Sequence, residues 1–305
     1  MYPSAKSNFL FSIFILYTIT CVGITCFFIQ NPLLSIVDSK QANNQNSAQL
    51  LKETYFPQLI NTKKPNFKDY KEVTEKKNAF FNYLIPKIHY LNANIAIQRK
   101  NIFLIKKEYE HNGINNTTSE PLEMAASKKS IQYLKSLSKR YKIKTEKKSI
   151  EEIIDQLLLR VDQIPPSMIL AQAANESAWG TSRFATKANN FFGQWCFRKG
   201  CGIIPKRRGD DEYHEVAKFK TVYHSLESYF LNINTHNAYR SLRRHRATLR
   251  NEGGDITGLE LINHLSRYSQ RGEHYVSELR NMIKSNQLAK LDSKKTALKP
   301  TIQTL

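Results

Sequence analysis

The sequence predicts a mainly helical α+β protein, and three observations carry that prediction. From Asn78 onward apolar residues recur at three- and four-residue steps. One β-prone excursion, between Cys196 and Tyr223, interrupts them. Ahead of both lies a stretch with no charged residue, between Lys6 and Asp38. Across 305 residues the chain is 41% hydrophobic and 24% charged, with only 11 Gly and 10 Pro. That balance excludes a collagen-like or wholly low-complexity chain and leaves room for one ordinary domain with extensions. The formal net charge of +20 draws such a chain to polyanions: nucleic acid, anionic membrane or acidic cell-wall polymer.

The uncharged stretch contains FLFSIFILYTITCVGITCFFI, Phe9 to Ile29. As a helix it would run about 32 Å at about 1.5 Å per residue, matching a bilayer core of about 30 Å. A cleavable signal has a shorter core of about 7–15 residues and a small-residue cleavage site. Val37 and Ser39 make only a weak one. Residues 9–30 therefore read as a retained, single-pass anchor in the inner (cytoplasmic) membrane, with a cleaved signal as the alternative. Lys6 on one flank, against Lys40 offset by Asp38 on the other, favours a cytoplasmic tip at 1–8 and a body outside the cytoplasm.

Residues 31–77 are Asn-, Gln- and Lys-rich with poor periodicity, as expected of a hydrated linker. The stripe Phe80, Phe81, Leu84, Ile85, Ile88, Leu91 and Ile95 predicts a helical stalk over 78–123, kinked at Pro86. Its apolar face needs the later domain, or a second copy, to pack against. A body over 124–286 follows. Met124 to Tyr141 is helical, and Ser149 caps EEIIDQLLLRV with acids in its first turn. Pro165-Pro166 ends that helix and opens MILAQAANESAWG. Gly200, Gly202, Pro205 and Gly209 punctuate GII and YHEVAKFKTVY, predicting a small hairpin. Helices return over 225–234, 237–250 and 275–283, and residues 287–305 read as a flexible tail. There is no internal repeat.

Glu176 carries the strongest chemical signal. It follows the apolar run MILAQAA and lies about one turn before Gly180. Apolar surroundings and the negative end of a helix dipole both penalise its anion and raise its pKa. A carboxyl still protonated near neutrality is what a glycosidic oxygen needs as leaving-group proton donor. Trp179, Phe191, Phe192 and Trp195 follow closely. Each alone is more often core, but beside a hindered acid they suggest a saccharide groove. Cys21 and Cys26 fall in the apolar segment. Cys196 and Cys201 read as a local disulfide in an exported body. Zinc, with His214 and His224, is the alternative, but it matches no standard ligand spacing. Arg240, Arg243, Arg244, Arg246 and Arg250 read either as a solvated helix face or as an attractor for carboxylates or lipid headgroups. No recognisable nucleic-acid module accompanies them.

QAANESAWGTSRFATKANNFFG, Gln172 to Gly193, resembles the glucosaminidase domains of glycoside hydrolase family 73. Those domains carry Q-A-x-x-E-S-x-W-G followed by an N-x-F-G turn. QWCFRKGCG, HEVAKF, NINTHNAYRSLRRHRATLR, YSQRGEHYVSEL and the upstream FFNYLIPKIHYLNANIAIQRK narrow the resemblance to the bacterial Bax proteins. The resemblance implies a lysozyme-like fold, an α-lobe facing a small β-lobe across a glycan cleft. It also implies an endo-β-N-acetylglucosaminidase acting on peptidoglycan glycan strands, with no metal or organic cofactor and no nucleic-acid partner. By the motif match Glu176 is the catalytic acid, and Gln172, Ser177, Trp179, Gly180, Asn190, Phe192 and Gly193 shape the site, with Trp195 beside them. Related domains place a second carboxylate on the β-lobe, for which Glu215 is the first choice and Glu212 the second. A positioned water or the substrate's own amide are the alternatives. Tyr268 matches the family's YATD-like stretch, although this chain reads YSQR there.

Overall fold

The computed structural model describes residues 59–60, 62–115, 128–206, 208–209, 212–266, 268 and 271–292. All of them belong to one compact unit within Pro57–Leu305. The expected anchor at 9–30 and the chain beyond residue 292 lie outside the described residues. Among the described residues no helix is long and apolar enough to cross a membrane.

Nine helices are described: α1 (Val73–Asn115), α2 (Lys128–Arg140), α3 (Ile150–Arg160), α4 (Pro166–Ser177), α5 (Arg183–Ala188), α6 (Val222–Thr235), α7 (Arg240–Asn251), α8 (Gly258–Leu261) and α9 (Glu273–Ser285). Three short strands, β1 (Trp195–Cys196), β2 (Gly202–Ile203) and β3 (Glu215–Ala217), lie between α5 and α6. The fold is thus mainly helical α+β. The expected hairpin is present as the antiparallel pair β2–β3, and β1 adds to the other edge in the order β1-β3-β2. Of YHEVAKFKTVY only Glu215–Ala217 is strand, and Val222 already begins α6.

Local chemistry explains the boundaries. Ser149 and Glu152 form a reciprocal capping box at the start of α3, satisfying two otherwise unpaired helix donors. Pro166 opens α4, where its missing N–H costs nothing. α4 is almost wholly buried from Ser167 to Ala174, so it is the central helix, packed by α1, α8 and α9. A buried N-terminus needs an acceptor, and Asp292 supplies it. Its carboxylate accepts from Ser167 N at 2.9 Å and from Gly258 N at 2.8 Å. Residues 288–292, expected as part of the loose tail, are therefore a docked turn.

The N-terminal boundary differs in the same way. α1 begins at Val73 and runs unbroken through Pro86. Its apolar face packs on α3, α4 and α6 of the later domain, the first of the two partners expected for that stripe. The preceding segment, expected as hydrated linker, is docked too. Lys64 Nζ donates to Ala185 O at 2.8 Å and to Asn189 Oδ1 at 2.7 Å. Phe67 is 2% exposed, its ring 5.4 Å from Phe80 and 6.4 Å from Phe191. One hydrogen-bonded lysine and one buried aromatic three residues on are too sparse to show as periodicity, yet they suffice to dock a strap.

The arginine-rich helix α7 is only partly a solvated face. Arg243 and Arg246 are buried. Arg243 donates to the carbonyls of Ile233 and His236, and Arg246 to Gln163 O and Asn234 Oδ1. Arg250 forks onto the buried Asp162 carboxylate at 2.6 and 2.5 Å. Three of the five arginines thus brace the core.

Gly180 offers a direct check on the strap. Its φ is +76°, and a Cβ there would stand 2.3 Å from the Phe67 ring. Gly180→Ala combines left-handed backbone strain with overpacking and should cost about 2–4 kcal/mol, read as a lowered denaturation midpoint at unchanged m-value. A loss below about 0.5 kcal/mol would mean that Phe67 is not seated there.

Candidate active site

Glu176 sits in the last turn of α4, where Asn175 and Glu176 are the half-exposed residues after a buried run. The chain then turns sharply: Ala178, Trp179 and Gly180 all have positive φ, at 48°, 57° and 76°. Two non-glycine residues in the left-handed region cost free energy, so their surroundings must hold them there. Ser177 closes the turn from inside, donating to Ala173 O at 2.6 Å and accepting from Gly180 N at 2.8 Å. Trp179 closes it from outside, its ring 5.5 Å from Phe80 and 5.4 Å from Phe81, with Lys77 Nζ 5.2 Å above it. Both residues therefore hold the end of the helix. Trp179 is packed by α1 and is not an open stacking face.

The other wall is the Asn190–Gly193 turn. Asn190 is buried; its Oδ1 accepts from Phe192 N and Gln194 N, and its Nδ2 donates to Gln194 O and Ala217 O. One side chain thus shapes the turn and ties it to β3. Gly193, at φ +63°, lies against the acid: a Cβ there would be 3.7 Å from Glu176 Oε2. The left-handed backbone favours Gly there, and the bare position leaves space beside the carboxylate. Phe192 stacks on Tyr229 at 4.0 Å.

Below the carboxylate lies a hydrogen-bond relay. Tyr229 donates its hydroxyl to Gln172 Oε1. Gln172 Nε2 donates to the Tyr275 hydroxyl at 3.0 Å, and Tyr275 is hydrogen-bonded to Glu176. Because Tyr275 oxygen accepts from Gln172, its own proton is free to go to the carboxylate. Gln172 is fully buried, so its role is to set that polarity. Tyr268 comes to the same place, but its hydroxyl donates to Phe192 O at 2.8 Å and its ring stacks on Tyr275 at 5.6 Å. The tyrosine bonded to the acid is Tyr275, in the same motif seven positions on. Sequence reasoning missed it, together with Tyr229, Arg271 and Glu278. The available signal was a second Tyr in YSQRGEHY, followed by a helical apolar stripe.

Burial raises the Glu176 pKa above its ordinary value. The Tyr275 hydrogen bond and the Arg271 charge oppose that rise, and the Glu278 charge adds to it. Arg271 and Glu278 are paired at 2.6 Å.

Glu215 is elsewhere engaged. It is 6% exposed, and its two oxygens accept from Gly200 N at 2.9 Å and Gly202 N at 2.7 Å. Those backbone donors hold its pKa below the usual carboxylate value. Gly200 lies within the loop closed by the Cys196–Cys201 disulfide, with Cα atoms 6.3 Å apart, and Gly202 opens β2 directly after it. The sulfurs and the Glu215 carboxylate lie within 4.8 Å of one another, but no thiolate remains to bind a metal. Glu212 lies in the exposed turn before β3, accepting from Gly209 N at 3.2 Å. Trp195, on β1, is 57% exposed and stacks on His214.

Three comparisons bear on this arrangement. Residues 152–288 match the glucosaminidase family described as mannosyl-glycoprotein endo-β-N-acetylglucosaminidase. The chain is 34% identical over 252 residues to Protein bax of Escherichia coli (strain K12), covering 82% of this chain and 80% of that protein. No solved structure matches significantly.

Proposed function

Since the chain belongs to the Bax-type glucosaminidase family, we propose that it is a peptidoglycan hydrolase that cuts the glycan backbone after N-acetylglucosamine, with Glu176 as general acid. The observation that carries this reading is the carboxyl of Glu176. Burial favours its protonated form, Tyr275 bonds it from one side and the bare backbone of Gly193 leaves space on the other. In the forward step the Glu176 proton passes to the glycosidic oxygen as the C–O bond breaks, leaving an oxocarbenium-like sugar. We assign the opposing attack to water or to the substrate's own acetamido oxygen. A carboxylate whose pKa is lowered, as that of Glu215 is, makes a weak base, and its bonds to Gly200 in the disulfide loop and to Gly202 on β2 give it a positioning role. Asn190, Phe192 and Gly193 form the substrate-side turn. The connection from this turn into the small sheet supports a lysozyme-like cleft between helical and β-lobes.

The uncharged segment 9–30 and the disulfide together support a membrane-tethered body in an oxidising compartment outside the cytoplasm. Digestion of purified sacculi by the full-length protein, with mass spectrometry of the released fragments, tests the reaction. New reducing ends on N-acetylglucosamine are expected. Reducing ends on N-acetylmuramic acid would make it a muramidase, and sacculus binding with no new reducing ends would make it a non-catalytic scaffold.

A further inference from the structure

Exposed aromatic side chains gather on the β-lobe, and one of them is built as a platform. Trp195 leaves 57% of its surface open, yet its indole is not free to swing. The His214 ring lies 3.9 Å beneath it at an interplanar angle of 17°. His214 is itself 9% exposed, and its Nδ1 lies 3.9 Å from Glu212 Oε2. A large apolar ring is thus braced on one face and presented on the other. Freezing a side chain is part of the cost of binding, and here the fold has met it in advance.

Position along the chain gives the platform its meaning. Trp195 is two residues beyond Gly193, the glycine that lies against Glu176 Oε2. Phe197, 78% exposed, follows two residues later. Trp195 opens β1 and Phe197 lies one residue beyond its end, so the chain leading away from the acid carries two exposed aromatic rings within five residues of Gly193. Tyr213, 82% exposed, adjoins His214 on the neighbouring segment. Arg198, Lys199 and Lys206 are exposed around them, a positive rim that complements the carboxylates of peptide stems.

We propose that Trp195, braced by His214 and extended by Phe197, is a holding site for the glycan strand, separate from the groups that break the bond. Its ligand is a polysaccharide of N-acetylated sugars bearing anionic side branches, taken through stacking of a pyranose face on the indole. The choice of ligand rests on the glycosidase reading above and deepens it. Stacking on a fixed indole depends on the shape and C–H face of the sugar, so it binds polymer of either linkage without reading the bond to be cut.

The test separates holding from cutting by working in the full-length Glu176→Gln background, where binding is read without turnover. Co-sedimentation with purified sacculi should weaken about tenfold on adding Trp195→Ala, and by a smaller factor on adding His214→Ala, which keeps the indole but removes its brace. The chain has only two tryptophans, so in Trp179→Phe the emission reports Trp195 alone. That emission should shift on titration with peptide-free N-acetylglucosamine oligomers. Trp195 is exposed, so an unchanged thermal midpoint is expected and shows that lost binding is not lost fold. Unchanged sacculus binding in the Trp195→Ala variant overturns the proposal. So does a loss confined to vesicles containing phosphatidylglycerol, which would make the patch a lipid contact. If wild-type protein fails to cut sacculi while Trp195 still governs binding, the holding site stands and the hydrolase reading falls. Cutting with no role for Trp195 in binding has the opposite meaning.

Discussion

Replacing Glu176 by Gln should lower sacculus turnover by about 10²–10⁴-fold, while the protein folds as before. Gln keeps the shape and can still accept from Tyr275, but it has no proton to give to a leaving oxygen. The stability change has a definite sign. Burial raises the folded-state pKa of Glu176 above its unfolded value, for which 4.5 is the ordinary figure. The unfolded chain therefore ionises first. Wild-type stability falls as pH rises from that value through the folded pKa, and Gln escapes the loss. At neutral pH the variant should thus be as stable as wild type or slightly more so, a common cost of a catalytic group held in an unfavourable state. The same pKa sets the alkaline limb of kcat/KM, because activity needs the protonated form. Tyr275→Phe removes a hydrogen bond that favours the anion and should move that limb to higher pH. Substantial turnover by Glu176→Gln, or a limb that ignores Tyr275, would remove Glu176 from the role of acid.

The largest loss of stability is expected at Asp162, outside the site. This residue is 2% exposed and is ringed by Arg99, Arg246 and Arg250 at 3.6, 3.5 and 2.5 Å. Burial pushes its pKa up, but Arg246, the Arg250 hydrogen bonds and Arg99 together outweigh burial, and the net shift is downward. Asp162→Ala would leave Arg246, which is fully buried, without its counter-charge. Breaking one side of such a pair costs about 3–5 kcal/mol, because the remaining charge stays desolvated. Chemical denaturation at neutral pH should show that loss. The pH dependence follows from the lowered pKa. The stabilisation is fully present above the ordinary Asp value of 3.8 and disappears as pH falls through the folded value. Wild type and variant should therefore converge in acid. A gap that persists there would mean that the contribution is packing, not charge.

The sequence by itself determined the helices with strong local signals. Ser149 with Glu152 specifies the start of α3, and Pro165-Pro166 specifies the boundary before α4, through bonds made within a few residues. It also singled out Glu176, because an acid ending an apolar helical run is a local pattern. Only the tertiary structure decided what lies around that acid. Tyr275 is 103 positions from Gln172 and yet bonds it. Phe67, in a stretch without periodicity, occupies the space that a side chain at position 180 would need. Trp179 and Trp195 look alike as aromatic residues beside a motif. Packing half-buries one against α1 and leaves the other braced and open. Arg246 is written in a run that reads as solvated, and the core takes it because Asp162, distant in sequence, gives its charge a partner. Such outcomes depend on which surfaces meet after folding, and hydrophobic burial and charge pairing act on spatial neighbours whatever their separation along the chain.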